Sequence, residues 1–249
     1  MAHRGKHPDD NYYFVEQADI AARMSEAAAD MAYLLARGYG DNAALQLVGN
    51  RYQLHRRQQM ALRRMVATAE AVAARAKTKW QANAVEPNTV QPIRLAIDGY
   101  NLLIFLEAAL SGGFLFDGAD GCLRDLSGVH GSYHSVEETD AALQIAANGL
   151  ATLPITEICW LFDAPVSNSG RLCTKFRAFA ESTEYPLAFP WEVRLVNNPD
   201  NELIAMAKEN WVIATTDAFI LDNVAQWAGL GLYLQKKYIP EAQILSFVV

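Results

Sequence analysis

The chain is 249 residues long, 51% hydrophobic and 20% charged, which is the balance of an ordinary globular protein with room for a sizeable core. No apolar run approaches the ~20 residues of a membrane span, and the basic start Met1–His7 leads into no apolar signal segment. Three cysteines without a Cys-x-x-Cys pair argue against a disulfide framework and for a reducing, cytoplasmic setting. The net charge of −7 is unevenly spread: residues through Arg94 carry 13 basic and 9 acidic side chains, the remainder 8 and 19. A basic head on an acidic body is unlike a general nucleic-acid binder and fits a carboxylate-rich site fed by a basic platform.

In chain order, residues 1–14 are polar and expected to be loose. Ile20, Met24, Ala27, Met31, Leu34 and Leu35 recur at helical spacing and predict a helix from about Phe14 to Arg37, stopped at Gly38-Tyr39-Gly40. Asp41 or Asn42 caps a short second helix through Val48, and a long third is expected from Tyr52 to Trp80. Its start carries Arg51, His55, Arg56, Arg57, Arg63 and Arg64, with hardly an acid between Asp41 and Glu70. Such a run is either a solvated face or a phosphate-contacting surface. Residues 81–92, with Pro87 and Pro92, read as a linker.

The body opens on Ile93-Arg-Leu-Ala-Ile-Asp-Gly-Tyr-Asn101, a buried parallel strand running into Asp98 and Gly99. A helix follows over Leu102–Leu110, then a long irregular segment from Phe114 to His134. Ser135-Val136-Glu137-Glu138 predicts a capping box for a helix to Leu153. Strands at 157–162, 192–196 and 212–215 alternate with helices at 171–181, 200–208 and 218–228. Strand-like pieces at 232–234 and 244–249 close the chain. This alternation defines a parallel, doubly wound sheet.

In such a sheet Asp98, Asp163 and Asp217 share one rim beyond the strand ends, and Asp200 opens a helix on the same rim. One such Asp is often merely a helix cap. Several together repel one another unless a cation binds or some of them protonate. Oxygen-rich sites suit Mg2+ or Mn2+, which activate water and stabilise phosphoryl oxygens.

Ile97-Asp-Gly-Tyr-Asn101, Phe162-Asp-Ala164, Pro199-Asp-Asn-Glu-Leu-Ile204 and Ala214-Thr-Thr-Asp217, in that order, resemble the PIN-like nuclease superfamily, especially its NYN and YacP-like branches. The head, with Tyr33-Leu-Leu-Ala-Arg-Gly-Tyr39 and Val48-Gly-Asn-Arg-Tyr52, is similar to that of an uncharacterised prokaryotic family joining such a head to a PIN-like body. The resemblance implies an α/β fold: a Rossmann-like doubly wound parallel sheet (PIN-like), preceded by a small all-α domain. The domains are residues 1–86 and 93–249.

It also implies an Mg2+- or Mn2+-dependent endoribonuclease in which Asp98, Asp217 and Asp200 hold the metal. Asn101, Thr215, Glu202 and Asp163 are auxiliary to them. The superfamily's mid-domain helical carboxylate has no clear match; Asp140 is preferred over Glu137 and Glu138. RNA is the expected partner, met by Arg51, Arg56, Arg57, Arg63 and Arg64 of the head and by Arg124, His130 and His134 of the body. No membrane is involved, and the option of a homo-oligomer stays open. The alternative is a catalytically inactive RNA-binding or adaptor protein that retains the fold.

The pair His130 and His134 has zinc-like spacing, but Gly131 between them speaks against a helix. No Gly-x-Gly-x-x-Gly follows the first strand, which disfavours a dinucleotide enzyme.

Overall fold

The computed structural model describes residues 3–80, 92–128, 131–181 and 191–247. Its centre is a four-stranded, wholly parallel sheet in the order β5-β4-β1-β6, with β1 Ile93–Asp98, β4 Ile155–Asp163, β5 Trp191–Val196 and β6 Trp211–Ala214. Alternation along β1 sends Leu95 and Ile97 to one face and Ala96 to the other. The first face is covered by α5 (Gly99–Ser111), α6 (Thr139–Leu150), α7 (Ser169–Ala180) and α10 (Leu230–Tyr238). The second is covered by α8 (Pro199–Lys208) and α9 (Ala218–Leu221). The expected α/β class, parallel sheet and N-terminal helical region are all present.

The helical region consists of a π-helical turn at Tyr12–Glu16 followed by α1 (Ile20–Ala36), α2 (Asp41–Arg51), α3 (Arg56–Met65) and α4 (Ala69–Thr78). The long helix expected from Tyr52 to Trp80 is thus two helices. Val66 turns extended and the Thr68 hydroxyl caps α4 by accepting the Ala71 N–H. The break frees the Met65 carbonyl to accept the N–H of Ala119 at 2.8 Å. Ala119 follows β2 (Leu115–Asp117), which pairs with β3 (Leu123–Arg124) and, in parallel, with β7 (Ile244–Leu245). This second, three-stranded sheet occupies part of the segment expected to be irregular.

The helices do not own their core. Phe14, Met24, Met31, Leu62 and Met65 pack with Phe116, Leu126 and Phe247 of the body in one cluster. The helical region thus packs as a layer against the small sheet. Nor is the N-terminus loose where it is described: Arg4 Nε donates to Glu107 at 2.9 Å, and Glu107 is fully buried. That carboxylate also accepts the hydroxyls of Tyr133 and Thr139, each at 2.6 Å, so a buried charge is fully satisfied.

Three further expectations change. The Ser135 capping box does not form; α6 starts at Thr139, whose hydroxyl accepts the Val136 N–H while it donates to Glu107. The helix expected over 218–228 ends at Leu221, because Trp227 is fully buried, beside β6 and the end of α4. Residues 232–234 belong to α10, not a strand. Leu230 and Leu234 lie one helical turn apart on a buried face, and a Cβ on Gly149 would come within 2.0 Å of Leu234. The expected linker, 81–92, lies outside the described residues except for Pro92. Among the described residues no helix is long and apolar enough to cross a membrane.

Candidate active-site cleft

The strand order places β4 on one side of β1 and β6 on the other, so the sheet changes direction between β1 and β6. Crevices of open α/β sheets form at such a point, beyond the carboxyl ends of the strands. Ile97 pairs with Ala214, which brings the residues that follow, Asp98 and Thr215, together. The Thr215 hydroxyl donates to Asp98 Oδ2 at 2.9 Å, and its oxygen accepts the Asp217 N–H at 3.1 Å. Asn101 ties the same two strand ends: its Oδ1 accepts the N–H and the hydroxyl of Thr216, at 3.0 and 3.1 Å. Gly99 is required by contact, not by turn geometry, since a Cβ there would sit 2.5 Å from the Phe162 ring.

A cleft of about 260 Å3 opens here, and Asp98, Asp163 and Asp217 all line it. Asp98 and Asp217 also serve as helix caps. Asp98 Oδ1 accepts the Asn101 N–H at 3.3 Å, and Asp217 Oδ1 accepts those of Phe219 and Ile220. Asp163 Oδ1 is buried with no hydrogen-bond partner. Asp200 is exposed in the first turn of α8, which Asn198 caps.

Burial raises the Asp98 carboxyl to about 6. The hydrogen bonds from Thr215 and Asn101 work against that rise, and the negative charges of Asp200 and Asp217 add to it. Asp200 is also held above the usual carboxylate range, by partial desolvation and then by Asp217 and Asp163. Asp98 and Asp200 are thus each raised in part by neighbouring acids of the rim.

The remaining predicted residues scatter. Asp140 is exposed on α6, 2.6 Å from Lys175, and does not line the cleft. Glu202 lies 3.8 Å from Arg194. Arg57 is engaged by Asp10 through two bonds of 2.6 and 2.7 Å, Arg63 by Asp41 and Asn42, and Arg51 by Asp30 at 3.4 Å. Arg56 is exposed, with no hydrogen bond or ion pair among the described residues.

Arg124 reaches the cleft but is buried. Two of its nitrogens are taken by Asp120, and the third donates to the Thr216 carbonyl at 2.8 Å, so it braces the strand end. His134 is exposed and lines a different hollow with Arg171 and Lys175. His130 lies outside the described residues.

Two further residues line the cleft. Arg64, expected among the RNA-contacting arginines of the head, enters from the end of α3, and its place at this cleft could not be read from a run of six basic residues. Asp125 follows β3 and faces the same cleft; burial raises its carboxyl, opposed by the Ser127 N–H and the Arg64 charge. Nothing in its neighbourhood of Gly and Asp residues singled it out.

Among the described residues no three His, Cys, Asp or Glu side chains gather closely enough to form a ready-made metal cage. The donor set fits a more open arrangement. It is all oxygen, and one buried oxygen of Asp163 is unsatisfied. Mg2+ keeps several waters and is commonly held by only one or two carboxylates plus substrate phosphate.

Fold and cleft together define an open parallel α/β protein with an acidic crevice at the point where its sheet changes direction. The chain belongs to the family described as a domain of unknown function (DUF5616), which matches residues 87–233. Residues 23–78 match a protein of unknown function (DUF434). An uncharacterized protein of Methanocaldococcus jannaschii, MJ0935, is 30% identical over 200 residues, covering 80% of this chain and 89% of that protein. No solved structure matches.

Proposed function

We propose that the chain is a PIN-like endoribonuclease that hydrolyses RNA phosphodiester bonds at the acidic cleft with Mg2+ or Mn2+. The observation that carries the reading is the convergence of Asp98, Asp163 and Asp217 on one cleft beyond the strand ends, with a buried Asp163 oxygen left unsatisfied. Asp98 and the free oxygen of Asp217 would hold the ion, with Asp200 near enough to add charge. The ion would supply activation of water and neutralisation of phosphoryl oxygens. Thr215 fixes the Asp98 carboxylate, and Asn101 locks the two strand ends in register. Asp163 Oδ1 is left without a hydrogen-bond partner in the wall of the cleft. Three free, buried cysteines agree with a cytoplasmic setting.

A second reading, an RNA-binding or adaptor protein without catalysis, draws on the capping bonds that also explain Asp98 and Asp217. The experiment is cleavage of an end-labelled RNA by the full chain in Mn2+ and in EDTA, with Asp98→Asn and Asp217→Asn alongside. Cleavage that needs the ion and both carboxylates supports the nuclease. An inert wild-type chain in Mn2+ and Mg2+ leaves the adaptor.

A further inference from the structure

We infer that Arg64 and Phe219 form a nucleotide-binding subsite beside the acidic cleft, the guanidinium taking a phosphate and the ring stacking on the adjoining base. The inference rests on the nuclease reading only in placing that phosphate next to the bond that is cut; the binding itself stands on the following geometry.

A second groove, of about 330 Å3, adjoins the first, and Arg64, Thr216 and Asp217 line both. Its other walls include Arg63 and Phe219. Arg64 is half-buried yet makes no hydrogen bond or ion pair among the described residues. Its neighbours Arg57, Arg63, Arg75 and Arg124 are all engaged by carboxylates. The Arg64 guanidinium feels the charge of Asp125 on the same cleft but pairs directly with no carboxylate, which leaves its donors free. Its planar fork matches phosphate oxygens.

Phe219 supplies the other half of a nucleotide's chemistry. It is 57% exposed, the highest value among the described large hydrophobic side chains. Its backbone is nonetheless fixed: its N–H donates to Asp217 Oδ1 at 2.9 Å and its carbonyl accepts Asn223 Nδ2 at 2.8 Å. The ring is thus presented on a rigid turn at the mouth of the groove, in the same turn as a cleft carboxylate. An aromatic platform beside a cation is how unpaired bases are held without regard to sequence.

The test uses the full chain and a ten-nucleotide single-stranded RNA carrying one 2-aminopurine, with EDTA present so that nothing is cut. Thermal melts check that each variant is folded. Phe219→Ala should weaken binding roughly 5- to 100-fold and abolish the quenching of 2-aminopurine, while Phe219→Trp retains both. Arg64→Ala should weaken binding about tenfold and lower the log–log salt slope by ~0.7, one phosphate contact on a single strand. Wild-type affinity, quenching and salt slope in both alanine variants would overturn the subsite.

Cleavage of the same RNA in Mn2+ is scored separately. Variant-sensitive binding by a chain that never cuts keeps the subsite and removes the nuclease. Cutting with variant-insensitive binding does the reverse.

Discussion

Thr215 donates its hydroxyl to Asp98 across the junction of β1 and β6, and the same oxygen receives the N–H of Asp217. One side chain therefore sets the orientation of one cleft carboxylate and the backbone leading to another. Thr215→Val, nearly the same shape, should cost about 1–2 kcal/mol at pH 8, because two polar groups lose a buried partner. It should also push Asp98 still higher. Thr215→Ser should behave as wild type. Chemical denaturation at several pH values measures both effects.

Asp98 gives stability a defined pH dependence. Its folded pKa of about 6 lies above the ordinary value of 3.8, so the folded chain holds that proton more tightly than the unfolded one. Stability contributed by the protonated form is fully present below about pH 4 and is lost as pH rises through 6. Asp98→Asn should match the wild type below pH 4 and exceed it above pH 6, by about 1–3 kcal/mol. A neutral-pH loss in the variant would show that the carboxylate is needed for folding.

Arg56 and Arg57 are neighbours in sequence with opposite prospects. Arg57→Ala strands the buried Asp10 carboxylate and should cost about 3–5 kcal/mol. Arg56→Ala removes an exposed, unpaired side chain and should change stability by less than ~0.5 kcal/mol. Paired urea titrations decide this, and equal effects would contradict the ion pair.

Arg75 joins the helical layer to the body. It donates to Asp120 at 2.7 Å and grips Asp222 with two bonds of 2.7 and 2.8 Å. Arg124 and Arg75 hold the buried Asp120 carboxyl down to about 2. Its contribution is therefore present above about pH 4 and is lost as pH falls from 4 toward 2. Arg75→Met should cost about 3–5 kcal/mol at neutral pH and shrink that acid-limb loss. Acid titration followed by circular dichroism reads both.

What the sequence disclosed follows period and order. The apolar runs ending in Asp98 and Asp163 announced β1 and β4, and the succession of strand ends carried three carboxylates to one cleft. Asp140 failed because a helix position says nothing of which way the helix faces: α6 turns it toward Lys175. The arginine run divides: Arg51, Arg57 and Arg63 are engaged by acids, and Arg56 and Arg64 are not. Whether a guanidinium is free depends on acids distant in sequence, such as Asp10 for Arg57, and no local pattern records that pairing. Asp125 and Phe219 acquire meaning only from the neighbours that folding brings to them.

The residues matched to DUF434 and those matched to DUF5616 meet in a gap of eight positions, yet Met24, Met31, Leu62 and Met65 from the first share one cluster with Phe116 from the second. The border between the two families is thus a feature of sequence comparison that hydrophobic packing does not respect. Either piece expressed alone would present a raw apolar face to solvent, so a change of side-chain volume at Phe116 calls for an answering change in α1 or α3. Selection acting on the two stretches should leave correlated substitutions across that border.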